Sequence, residues 1–116
     1  MEKQILNFEN GMEMMGGDPA IYKEIISVFL QEQQYDQKRI EQLVADGQSV
    51  EAGIEIHRLK GAAGTIGAER LEEICSKAEK ILRGKIEGDA TPLIPQITVF
   101  YNELVPELQK ALQKLQ

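Results

Sequence analysis

Apolar residues recur along this chain in steps of three and four, and nowhere alternate with polar residues over a strand's length. Asn7 can cap a short first helix, FENGMEMM, which Gly16 and Gly17 would end. Asp18 followed by Pro19 is a helix start, a capping carboxylate with proline at the first helical position. Beyond it lie Tyr22, Ile25, Ile26 and Phe29, and the stripe resumes past QEQQYDQKR with Ile40, Leu43 and Val44. This spacing predicts one long helix from 19 to about 45, closed by Asp46-Gly47. Ser49 is expected to cap a third helix, from about 50 to 66, with Ala52, Ile56, Leu59, Ala63 and Ile66 as its apolar stripe and Gly67 as its end. A fourth, from about 68 to 83, would bury Leu71, Ile74, Cys75, Ala78, Ile81 and Leu82, and RGKIEGDATP reads as a connector. Thr91 and Pro92 open the last helix, whose Ile94, Ile97, Tyr101, Leu104, Leu108, Ala111 and Leu115 form a bundle-type seam. Pro95 lies near its start, and Pro106 removes an interior hydrogen bond to the Asn102 carbonyl, which predicts a kink. The pattern as a whole predicts an all-α protein: an antiparallel four-helix bundle with a short extra N-terminal helix, in a single domain over residues 1–116.

Composition narrows the chemistry. A chain of 116 residues and 13.0 kDa supports one core, and Leu, Ile, Ala, Glu, Gln and Lys dominate it while Trp is absent. The net charge of -6 argues against nucleic acid as a partner, because phosphate binding needs a basic face. Cys75 is the sole cysteine and His57 the sole histidine, so neither a disulfide nor a zinc site is expected, and nothing implies another cofactor. MEKQILNFEN lacks the apolar region of a signal peptide, and no run approaches the ~20 apolar residues of a membrane span. A soluble, unprocessed, cytoplasmic protein is the expectation, and a monomer, since every stripe is needed inside.

The stretch HRLKGAAGTIG, residues 57–67, sets the only histidine among glycines within a helix. On a wheel of about 100° per residue, Gly53 falls about 40° to one side of His57, Gly61 about 40° to the other, Gly64 at about 20° and Lys60 at about 60°. The apolar stripe centres about 140° away, so His57 should point outward. Each interior glycine costs roughly 0.5–1 kcal/mol relative to alanine, and three on one face predict a cleared approach to the imidazole. Imidazole is a nucleophile near neutral pH. Lys60 can reach a group attached to the ring and stabilise a dianionic phosphoryl there. Loading should weaken as pH falls and the ring protonates, a protonation the Lys60 charge opposes. Ile54, apolar but off the core stripe, and Arg58 are candidate partner contacts. No orienting carboxylate is visible from the histidine's own helix: Gly53 stands at i-4, and Glu55 points about 160° away.

The run His57, Leu59, Lys60, Gly61, Ala63, Ile66, Gly67, continued by Ala68 and Leu71, resembles the signature of histidine-containing phosphotransfer (HPt) domains. The upstream GGDPAIYKEIISVFL resembles the start of the long second helix of such domains, so the likeness spans nearly the whole chain. It implies a four-helix bundle whose exposed His57 accepts a phosphoryl group from a sensor histidine kinase or a receiver-domain aspartate and passes it to another receiver aspartate. It also implies that Lys60 flanks the phosphoryl group and that Gly61 leaves the ring accessible. Gly53 departs from the family pattern, where alanine or a larger residue is usual. With no nucleotide loop, no acidic cluster for magnesium and no second base beside the histidine, the chain would be a phosphoryl carrier and substrate rather than an enzyme.

Rival readings are a helical adaptor in which His57 is incidental, a sensor-kinase dimerisation helix and a small hydrolase. The dimerisation helix usually carries proline five residues after its histidine, where this chain has Ala62, and the hydrolase lacks a base and orienter pair. Cys75 reads as a small buried hydrophobe, Met12, Met14 and Met15 as packing over the bundle end, and Glu69, Glu72 and Glu73 as a solvated face.

Overall fold

A computed structural model describes residues 2–32 and 35–116, which form helices α1 (Phe8–Met14), α2 (Pro19–Gln31), α3 (Gln37–Ala45), α4 (Ser49–Ile66), α5 (Glu69–Leu82) and α6 (Leu93–Lys114). Among the described residues there is no strand, and the fold is an all-α helical bundle. The starts of α1 and α2 follow the expected caps. Asn7 Oδ1 accepts from the Asn10 amide at 3.0 Å, and Asp18 Oδ1 from the Ala20 amide at 2.9 Å.

The long helix expected from 19 to about 45 is two helices. Glu32 leaves α2 in an extended conformation (φ -88°, ψ 135°), and Asp36, also extended, caps α3 by accepting from the Arg39 amide. Gln33 and Gln34, inside the expected helix, lie outside the described residues. The break is held from across the bundle. The Tyr35 hydroxyl donates to the Ile94 carbonyl at 2.9 Å, and its ring packs against Tyr101. A short capping side chain followed by the resumed apolar stripe thus starts a new helix rather than continuing the old one.

At α4 the sequence expectation shifts by one position. Gln48 occupies the cap without a side-chain bond, and Ser49 already lies in the first turn. Gly47 (φ 76°) and Gly67 (φ 87°) take the left-handed conformation that lets the chain turn into and out of this helix. In α6, Pro92 takes the cap position and the helix proper begins at Leu93. Pro95 falls in the first turn, where a missing N–H forfeits no intrahelical bond, and the helix passes Pro106 without interruption.

The helices α2 and α3 each pack on α4 and α6, while α5 packs on both α4 and α6, and α4 with α5 is the most extensive pair. Between them lie Tyr22, Ile26, Ile56, Leu59, Leu71, Ile97, Leu104 and Leu108, all essentially without solvent contact. Removing that apolar surface from water is the main stabilising effect, at about 25 cal/mol per Å². Met12 and Met15 pack on the core, but Met14 is exposed, contrary to the expectation for all three. The N-terminal segment straps the turn between α4 and α5. The Asn7 amide donates to the Gly67 carbonyl at 2.8 Å, and the Gln4 amide and Asn7 side chain both donate to the Glu69 carboxylate at 3.1 Å. Glu69 is therefore a fastening group and not merely part of a solvated face. Among the described residues no helix is long and apolar enough to cross a membrane.

Candidate functional site

The stripe of α4 that holds Ala52, Ile56, Leu59, Ala63 and Ile66 is buried, and this turns His57 outward, with 59% of its side chain exposed. The ring does not stand alone. Its Nδ1 lies 3.1 Å from both carboxylate oxygens of Glu79 on α5. Glu79 is only 4% exposed and is the one buried charged residue among those described. Two further cations complete the cluster: Arg83 donates to Glu79 Oε2 at 3.0 Å, and Lys60 Nζ stands 3.7 Å from Oε1. Burial alone would push the Glu79 carboxyl up. Hydrogen bonds from His57 and Arg83, with the charges of His57 and Lys60, outweigh it and hold the carboxyl below the usual carboxylate range.

This geometry assigns the ring's protons. An ionised carboxylate only accepts, so Nδ1 must carry the hydrogen. In the neutral ring the lone pair then sits on Nε2, which has no hydrogen-bond partner among the described residues. The arrangement is a nucleophilic nitrogen pointing to solvent, with its opposite nitrogen fixed by a buried anion. Along α4 itself no carboxylate is placed by the sequence to orient the ring. The signal lay on α5: Glu79 sits four residues after Cys75 and three before Leu82, a carboxylate on an apolar stripe.

The three glycines part company. An added Cβ at Gly61 would meet nothing within 4 Å, so the approach to the ring is open there. At Gly53, which is buried, it would lie 2.6 Å from Arg83 Cγ; at Gly64 it would run into Glu72 Oε2. Unlike the open space at Gly61, the space beside Gly53 and Gly64 is occupied by side chains of α5 and of the cap that ends it. Gly53 with Arg83, His57 with Glu79 and Gly64 with Glu72 pair in order along two antiparallel helices. Lys60 is where the sequence places it, about a third of its side chain exposed beside the cluster. Ile54 and Arg58 are exposed on the outer face near His57, and Val50 one turn earlier extends the apolar row.

Cys75 is fully buried, its thiol pushed up to about 12 by burial and the nearby charges of Glu72 and Glu79, so it is no nucleophile. Among the described residues no group of three or more His, Cys, Asp or Glu side chains is placed to hold a metal ion.

Neither curated proteins nor solved structures yield a match to the chain. Among protein families, the Hpt domain matches residues 24–116, which takes in α3 to α6 and most of α2. With a helical bundle and an outward histidine on the matched part, the chain belongs to the Hpt domain family, whose members carry phosphoryl groups in two-component phosphorelays rather than catalyse their transfer.

Proposed function

We propose that this chain is a phosphorelay carrier that accepts a phosphoryl group on Nε2 of His57, from a sensor histidine kinase or a receiver aspartate, and returns it to a receiver aspartate in the cytoplasm. The observation that carries the reading is the pairing of His57 with Glu79. The carboxylate holds the proton on Nδ1, so the free lone pair of Nε2 faces solvent beside the bare surface of Gly61.

In the transfer, Nε2 attacks phosphorus, the N–P bond forms, and the bond from phosphorus to the donor oxygen breaks with its electrons leaving on that oxygen. The phosphorylated ring keeps its Nδ1 hydrogen and carries positive charge, which the Glu79 carboxylate beneath it stabilises. Lys60 stands where its ammonium can swing from Glu79 to the phosphoryl oxygens. The magnesium ion and the acidic residues that hold it belong to the partner, since phosphoryl transfer depends mainly on positioning and charge stabilisation. Val50, Ile54 and Arg58 offer that partner an apolar row with a flanking cation.

The test is incubation of the chain with a phosphorylated receiver domain, and separately with a histidine kinase and ATP. Acid-labile label on the wild-type chain, absent from a folded His57→Gln variant, is expected. Label that survives acid, label that persists in His57→Gln, or stable binding of a receiver without any labelling would overturn the reading; the last outcome would favour an adaptor.

A further inference from the structure

The Arg83 side chain reaches Glu79 by crossing the backbone of α4 at Gly53. Its Cγ and Cδ would lie 2.6 and 3.3 Å from a Cβ added there, and Leu82 Cβ at 3.4 Å closes the other side. The 2.6 Å approach is one that real Cβ atoms do not make, and it falls near the root of the arginine. A shift at Cγ is levered along the chain and swings the guanidinium at its far end. The Arg83 hydrogen bond to Glu79 Oε2 is only 3.0 Å long, and the same oxygen lies 3.1 Å from His57 Nδ1. A path of contacts therefore leads from the missing side chain of Gly53, through Arg83 and Glu79, to the ring.

We propose that Gly53 is a positioning residue for His57: its bare backbone is the seat for the Arg83 stem, which pins the Glu79 carboxylate that orients the imidazole. The helix keeps a poor helix former here because alanine would unseat the arginine. This rests on the phosphoryl-carrier reading only for its consequence in transfer; the seat itself is a matter of structure.

The test compares Gly53→Ala, Arg83→Ala and the double variant. Nitrogen-15 NMR of the Arg83 guanidinium and of the His57 ring is read beside the rate at which a phosphorylated receiver labels His57. In Gly53→Ala the guanidinium signal should move to that of a solvated arginine and the Nδ1–H signal should broaden. The labelling rate should fall by about three- to tenfold, the scale of one lost hydrogen bond. Thermal stability should fall slightly, because the gain in helix propensity is smaller than the loss of a hydrogen bond to a buried carboxylate. In the Arg83→Ala background, Gly53→Ala should slow labelling no further. Unchanged Arg83 and His57 signals in Gly53→Ala, or rate losses that multiply in the double variant, would overturn the proposal. Should wild-type His57 take no label at all, the carrier reading falls, while the guanidinium signal still decides whether Gly53 seats Arg83.

Discussion

At the scale of single residues, one buried carboxylate organises the site. Glu79 is shared by His57, Arg83 and Lys60, and each contact that holds it ionised also holds the ring. Glu79→Gln removes that anion but keeps its shape. It should lower stability at neutral pH by about 1–2 kcal/mol, below the full worth of hydrogen bonds to a charged group because Arg83 and Lys60 are each about a third exposed. Urea unfolding at pH 7 measures this. The same variant should load phosphate more slowly, since an amide can donate to Nδ1 and fix the wrong tautomer. Gly61 calls for the opposite experiment. Open space surrounds the position of its absent side chain, so Gly61→Leu should leave stability unchanged or raise it by up to about 1 kcal/mol while blocking docking. A normal transfer rate with leucine there would show that partners do not approach over that turn.

At the scale of elements, the pair α4 and α5 separates two kinds of glycine. Gly64 faces the far end of Glu72, an exposed and flexible side chain that can move away. Gly64→Ala should accordingly stabilise the protein by about 0.5 kcal/mol or be neutral in a thermal melt. In α6, Pro106 withholds an amide from the helix interior while its ring faces solvent. Pro106→Ala restores a donor for the Asn102 carbonyl and should raise stability by about 1–2 kcal/mol, read as a higher denaturant midpoint. Much of this level was legible in the sequence. Helices α1, α4, α5 and α6 follow their apolar spacing, with ends marked by Asn7, Gly67 and the connector before Pro92. The split between α2 and α3 was not, because Ile40, Leu43 and Val44 sit on the same bundle face that a continuous helix would present. The anchor at Tyr35 depends on Ile94, which is remote in sequence.

At the scale of the whole molecule, the titratable groups set limits on stability at both ends of pH. The Glu79 carboxyl is depressed in the folded protein, so its contribution is present above the ordinary carboxylate value of 4.5 and is lost as pH falls through the lower folded value. Stability measured from pH 7 down to 2 should show that acid limb, and Glu79→Gln should flatten it. Tyr22, Tyr35 and Cys75 are shifted the other way, each pushed up to about 12, mainly by burial. Their neutral forms favour the fold below the unfolded values of 10.0 for the tyrosines and 9.0 for the thiol, and that favour disappears as pH rises toward 12. Alkaline unfolding should therefore be steep across that interval, and Tyr22→Phe should soften it at the loss of the Ile66 carbonyl's partner. The outward histidine was readable from periodicity at this scale. Its counter-ion was not, since that depends on how two helices pair in space.

Among the described residues, the side chains paired with the Glu79 carboxylate come from α4 and from the cap that ends α5. The orientation of the imidazole is thus set inside a single hairpin. Substitutions on the outer faces of α2 and α3, the opposite arm of the bundle, should therefore leave the pairing of His57 with Glu79 undisturbed.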